Sequence, residues 1–165
     1  MTGERPVFMI RRMSNSLAVF LHDSRYDRIY QAVNLVLTAS SMGWSCHLFL
    51  FFGALGAYMA DEWDEVNIYR PEQGALFSPG DPADRSAPDW LGQLQRNIEL
   101  ANFPSLYELL KRAKEESGRL SICACSTSVR LLGLDTNAVK KRVDEIVGLP
   151  TMLQISAQAD QVIYI

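Results

Sequence analysis

The sequence predicts a three-layer α/β domain whose sheet is mostly parallel. Short, continuously apolar segments alternate along the chain with longer segments in which apolar residues recur at helical spacing. Continuously apolar strands are typical of parallel sheets that helices cover on both faces. Glycines follow several of the helical segments, where the chain needs to end a helix and turn back towards the sheet. The alternation therefore predicts right-handed βαβ units in one sheet of about five strands.

The first βαβ unit is predicted near the N-terminus. Residues 16–22 and 45–52 are apolar runs of strand length. The helix between them, which ends near Ser41, has its apolar residues at helical spacing. These residues are Ile29, Ala32, Val33, Val36 and Leu37. A further short helix is predicted from Gly53 to about Ala60.

Residues 42–60 form an apolar run that approaches the length of a membrane span. Two polar side chains, Cys46 and His47, lie within it. Gly53 and Gly56 interrupt the run where a strand would end and a helix would begin. We therefore expect a strand and a helix of the sheet domain here, and no insertion into a membrane.

A long segment at residues 69–92 differs in composition from its surroundings, because it contains four of the chain's seven prolines. A loop of this length inside a compact domain is typically functional, disordered or part of an interface. Phe77 and Trp90 could hold it against an apolar surface. We expect a surface excursion or a subunit contact rather than a catalytic lid, within a single domain that spans residues 1–165.

The second half of the chain is expected to begin with a longer helix. Asn102 is its predicted N-cap and Pro104 lies near its first position. A buried strand is predicted at residues 120–124, and a short helix directly after it at residues 126–132. Gly133 is the expected end of that helix.

The C-terminal part is expected to contain two more helical segments and a final strand. Thr136 is the predicted cap of a helix with one apolar stripe. The stripe consists of Val139, Val143, Ile146 and Val147. Pro150 is expected to begin the second helical segment. The last strand is predicted at residues 161–165, at the end of the chain.

Composition excludes several classes of function. The net charge of −3 argues against a nucleic-acid partner or an anionic membrane, because phosphate binding needs clustered lysine and arginine. Three cysteines without a secretory leader disfavour a disulfide scaffold, so a cytoplasmic location is expected. Neither a glycine-rich dinucleotide motif nor a phosphate-binding loop occurs. Two histidines and scattered cysteines do not form a zinc pattern, so we predict no cofactor and no metal.

The most informative residue is Cys125, directly after a predicted buried strand and directly before a predicted helix. A thiol at this position meets unpaired backbone N–H groups and the positive end of the helix dipole, which favour a thiolate. Hydroxyl donors at Ser126, Thr127 and Ser128 surround the same position. We predict a nucleophile or a persulfide carrier at Cys125. The alternative is a buried cysteine that serves as a small hydrophobic residue.

Two further residues could assist Cys125. Cys123 shares a strand face with it and could resolve an oxidised Cys125, although a bridge within one strand would be strained and core packing explains Cys123 better. His22 ends the first strand at the same sheet edge and could donate or accept a proton. It could equally hydrogen-bond the turn that follows. Cys46 and His47, both in the second strand, are expected to be structural.

Three stretches together resemble the DsrE/DsrF-like family, which includes the TusD-type sulfur-relay subunits. Residues 17–56 resemble its opening strand, helix and second strand. Residues 124–134, with the sequence ACSTSVRLLGL, resemble its "AC-x-x-S-…-LG" segment. Residues 147–165 resemble its closing helix and strand. Cys125 falls on the cysteine of that segment, and Ser128 falls on its serine.

The resemblance implies a flavodoxin-like sheet and a sulfurtransferase-like activity in which Cys125 carries sulfur as a persulfide. It implies sulfur donor and acceptor proteins as partners, and oligomers such as trimers or hexamers. Cys123 and the long segment at residues 69–92 depart from the family pattern. A non-catalytic oligomeric binding module that uses a pocket at the strand ends stays open, as does a thiol redox protein that uses Cys125 with Cys123.

Overall fold

The computed structural model describes residues 15–65 and 90–165. Its first part contains β1 (Ser16–Leu21), α1 (Tyr26–Ser41), β2 (Ser45–Leu50) and α2 (Phe52–Met59). The second part begins with α3 (Trp90–Leu100), α4 (Leu106–Ser117), β3 (Leu120–Cys125) and α5 (Ser126–Leu131). It ends with α6 (Thr136–Lys140), β4 (Glu145–Val147), α7 (Leu149–Gln158) and β5 (Gln161–Tyr164).

The five strands form one sheet in the order β4-β3-β2-β1-β5, and every pair is parallel. The register places Phe20 beside Phe49, and Phe49 beside Cys123. All carboxyl ends of the strands therefore meet at one edge of the sheet. This is a three-layer α/β arrangement of the flavodoxin-like kind, as the sequence predicts.

The strand order explains how the helices divide between the two faces. From β1 to β4, each new strand joins the sheet at the same edge, next to the strand before it. Because the crossovers are right-handed, the helices that connect these strands all lie on one face of the sheet. The link from β4 to β5 crosses the sheet in the opposite direction and places α7 on the other face. That second face, which we call the α7 face, has its own buried cluster. Its members are Ala18, Phe20, Phe49, Phe51, Cys123, Cys125, Val147 and Met152.

One predicted helix is wrong. The apolar stripe from Val139 to Val147 is divided between α6, which ends at Lys140, and the three-residue strand β4. The Asp144 side chain anchors the start of β4, because its Oδ2 accepts a hydrogen bond of 2.9 Å from Ile122 N and its Oδ1 accepts one of 2.5 Å from Lys114 Nζ. A strand this short has no periodicity of its own, so its residues continued a helical pattern by coincidence.

The predicted cap at Asn102 is also wrong. The chain forms α3 before this point, and Asn102 lies after α3 in a turn with a φ of 46°. The next helix, α4, begins later with Ser105 as its N-cap. Ser105 and Glu108 form a capping box, in which each side chain accepts a hydrogen bond from the other residue's backbone N–H.

The apolar run at residues 42–60 is divided between β2 and α2, with a turn before β2. Among the described residues no helix combines the length and the apolar character that crossing a membrane requires. Most of the proline-rich segment predicted at residues 69–92 lies outside the described residues, which resume at Trp90 with the first turn of α3.

Candidate functional site

The candidate site lies at the carboxyl edge of the sheet, where β3 ends and α5 begins. Cys125 is the last residue of β3 and the N-cap of α5. Its backbone is extended (φ −68°, ψ 119°) and turns directly into the helix. Among the described residues, no side chain caps the N-terminus of α5. The N–H groups of the first turn, which in any helix lack partners within the helix, therefore receive no side-chain hydrogen bond from the N-cap.

The Cys125 thiol is nearly enclosed. Its side chain belongs to the cluster on the α7 face, together with Phe51, Val147 and Met152. Cys125 is 5% exposed, whereas Cys123 is 1% exposed and Cys46 is fully buried. All three cysteines are therefore buried, and Cys125 is the least buried of them.

The three hydroxyl residues after Cys125 have different surroundings. Ser126 and Thr127 are exposed, whereas Ser128 is completely buried. The hydroxyl of Ser128 has no hydrogen-bond partner among the described residues. A buried hydroxyl without a partner is unusual, because it retains the cost of leaving water. Ser126 is close to Gly148: a Cβ atom added at Gly148 would lie 3.8 Å from the Oγ of Ser126.

His22 lies at the same edge as Cys125, but the two side chains are not neighbours. His22 directly follows β1 and Phe51 directly follows β2, and the strand order places β2 between β1 and β3, which ends in Cys125. The His22 ring stacks on Phe51 with centroids 4.2 Å apart. Two strand spacings separate His22 from Cys125, about 10 Å. Partial burial lowers the pKa of His22, which favours the neutral imidazole near pH 7.

Phe52, which the sequence did not single out, is the most unusual residue of this edge. Its φ is 26°, in a region that a bulky side chain rarely adopts, and its ring is 45% exposed. Gly53 follows it, and an added Cβ there would lie 3.2 Å from the carbonyl oxygen of His22. The close approach of the start of α2 to the end of β1 therefore favours glycine at position 53. The Phe-Gly pair at the end of an apolar run was the available signal in the sequence.

The other two cysteines have structural surroundings. Cys123 packs in the α7 face, and its Sγ lies 3.4 Å from Ser121 Oγ. Burial raises the pKa of Cys123, and the hydrogen bond with Ser121 opposes that rise only in part. Burial likewise raises the pKa of Cys46. All three cysteines are unbridged.

Metal ligands do not come together in the described parts of the chain. No group of three histidine, cysteine or acidic side chains there has a geometry that could hold an ion. His47 packs in β2 beside Phe49, with ring centroids 6.0 Å apart. Its Nδ1 is buried without a hydrogen-bond partner among the described residues.

No protein-family model matches this chain, and no curated protein is significantly similar to it. Any assignment of function therefore depends on the residues and on the geometry of the site.

Proposed function

We propose that this protein carries sulfane sulfur as a persulfide on Cys125 and passes it to a partner protein. The observation that supports this most directly is the position of Cys125, which joins the end of a buried parallel strand to an uncapped helix N-terminus. Reactive groups in parallel α/β sheets gather at this edge. The resemblance of residues 124–134 to the sulfur-relay family points to the same residue.

The transfer step is a displacement at sulfur. The Cys125 thiolate attacks the terminal sulfur of a donor persulfide, forms a new S–S bond and releases the donor as a thiolate. An acceptor thiolate then attacks the terminal sulfur on Cys125 in the same way, and the Cys125 thiolate leaves. No electrons are gained or lost overall, because the sulfane sulfur moves at one oxidation level. The scheme needs reduced thiols, which is consistent with a cytoplasmic location.

Backbone groups would hold the charged intermediates. The first-turn N–H groups of α5 lie next to Cys125 and can donate to a thiolate or to a persulfide anion. The unpartnered hydroxyl of Ser128 is one further donor in the same turn. In this scheme His22 orients Phe51 by stacking and is too distant for direct proton exchange with Cys125.

The near-complete burial of Cys125 has a consequence for the partners. A donor has to place one sulfur atom at the sheet edge, and two large apolar side chains are exposed next to that edge. Phe52 is 45% exposed and Leu149 is 56% exposed. Exposed apolar side chains around a reactive residue are suited to contact with another protein. We assign these two side chains to the surface that receives the donor or the acceptor.

Mass spectrometry of the intact protein tests the proposal. After incubation with a persulfide donor, one added sulfur atom is expected on the wild type and on Cys123→Ser, and none on Cys125→Ser. Peptide mapping should place the sulfur on Cys125. An unmodified wild type, or equal modification of Cys125→Ser, would overturn the proposal.

A second candidate function is an oligomeric binding module without sulfur chemistry. It is favoured by the outer surface of the α7 face, where Leu153 is 54% exposed and Tyr164 is 66% exposed. Sedimentation of the wild type and of Leu153→Asp measures whether this surface joins subunits. Assembly that is lost in Leu153→Asp but intact in Cys125→Ser, with no persulfide on the wild type, would favour this second function.

Counting free thiols after peroxide treatment distinguishes sulfur relay from thiol redox chemistry. Redox chemistry predicts a disulfide between Cys123 and Cys125, whereas relay predicts none.

A further inference from the structure

A cavity of about 400 Å³ lies between the first turns of α1 and the end of α3, and Cys125 does not line it. Its walls include Tyr26, Asp27 and Tyr30 from α1, Leu94 and Ile98 from α3, and Phe103 from the turn after α3. This volume is within the range of pockets that hold small organic molecules. Nothing in the proposed sulfur chemistry uses it.

Both walls of this α1–α3 pocket contribute aromatic rings. Tyr26 and Tyr30 stack with ring centroids 6.2 Å apart, and Tyr30 meets Phe103 at 5.7 Å with the rings tilted by 43°. Tyr26 is buried, whereas Tyr30 and Phe103 are partly exposed at 36% and 38%. Tyr30 and Phe103 are therefore the aromatic residues of the pocket that a molecule entering from solvent would contact first.

Among the described residues that line the pocket, Asp27 carries the one charged side chain, and that charge is negative. Arg28 Nε lies 3.8 Å from Asp27 Oδ2, but both side chains are almost half exposed, and such pairs interact weakly. Burial, and then the nearby carboxylate of Asp64, raise the pKa of Tyr26, so its phenol stays a neutral donor.

We propose that this pocket binds a small organic cation that has an apolar body, such as an arylalkyl ammonium. Aromatic ring faces attract cations, and the attraction adds to ordinary apolar contact. Leu94 and Ile98 would cover the apolar body, while the ammonium group would lie between the ring of Tyr30 and the carboxylate of Asp27. An anion of the same shape would meet Asp27 with no compensating positive charge from the lining residues.

Three ligands of one shape and different charge test this inference on the full chain. Phenethylammonium, phenethyl alcohol and phenylacetate share an aromatic ring and a short chain. NMR titrations that follow the tyrosine and phenylalanine ring signals report both the affinity and the place of binding. We expect the cation to bind at least about tenfold more tightly than the anion, with the alcohol between them.

Two matched variants separate the pocket carboxylate from general electrostatics. Asp27→Asn should weaken binding of the cation by about fivefold and leave binding of the alcohol unchanged. Glu99→Gln removes the same charge from an exposed position of α3 outside the lining, and should change neither ligand. Phe103→Ala should weaken all three ligands.

Equal affinity for the three ligands would overturn the inference, because the pocket would then be merely apolar. Ring signals that do not shift with any ligand would overturn it too. An equal effect of Asp27→Asn and Glu99→Gln would show that the overall charge of the protein, rather than the pocket, attracts the cation, and would also contradict the proposal. None of these outcomes depends on Cys125.

Discussion

Met152 is the buried residue of α7 in the cluster that contains Cys125, and replacing it should both destabilise the protein and loosen the packing around that thiol. Met152 is completely buried in the cluster that contains Cys125, Phe20 and Phe49. Truncating a fully buried methionine to alanine typically costs 2–5 kcal/mol, through lost burial and the cavity that remains. We therefore expect Met152→Ala to lower the free energy of unfolding by about 3 kcal/mol.

The same change should alter the reactivity of Cys125. If reagents reach the nearly enclosed thiol when α7 detaches, a loss of about 3 kcal/mol from that docking increases the open population by about a hundredfold, at 1.4 kcal/mol for each factor of ten. The rate of alkylation by iodoacetamide at Cys125 should rise by up to the same factor. A thiol that reacts without any detachment of α7 would show almost no change in rate.

Leu153→Ala is the matched control for this experiment. Leu153 is the next residue of α7 but is 54% exposed, and leucine and methionine have nearly equal helix propensities. Its replacement should change stability by no more than about 0.5 kcal/mol. Urea unfolding gives the stabilities, and peptide mapping by mass spectrometry gives the alkylation rate at Cys125. Equal stability of the two variants would refute the view that Met152 docks α7 on the sheet.

Two further predictions concern stability. Ser105→Ala removes the capping box of α4 and should cost about 1 kcal/mol in urea unfolding, whereas Ser105→Thr should retain most of that stability; equal losses in both variants would contradict this. Burial lowers the pKa of His47, with Glu145 opposing the shift in part, so the unfolded chain binds the proton more readily than the folded one. Stability should therefore be complete above about pH 6.5 and decline as the pH falls from there through the lower pKa of the folded state. His47→Gln should make that decline shallower in urea titrations between about pH 5 and about pH 8, and an unchanged decline would assign it to other groups.

Much of the fold could be predicted because it depends on local patterns. Buried parallel strands are continuously apolar, so β1, β2 and β3 could be recognised within one or two residues of their observed bounds. The periodic stripe of α1 and the proline at the start of α7 are local signals of the same kind. Cys125 could be placed between a strand and a helix for this reason, since both neighbours are defined by sequence alone.

The position of β4 could not be predicted in this way. Its three residues form a strand because Cys123, Ala124 and Cys125 lie beside them, and because Asp144 fixes the preceding turn to Ile122. Both interactions join parts of the chain that are distant in sequence. A helical pattern that extended over Ile146 and Val147 was therefore the best local interpretation, although the tertiary contacts overrode it.

The sequence by itself determined the alternation of strands and helices and the place of Cys125 at a strand end, because period and strand length are properties of neighbouring residues. Only the tertiary structure decided what surrounds that thiol. The strand order puts β2 and its Phe51 between His22 and Cys125. The single return crossover puts α7 and Met152 over the same face and leaves Cys125 5% exposed. Both facts follow from the pairing of distant segments, which no local pattern contains.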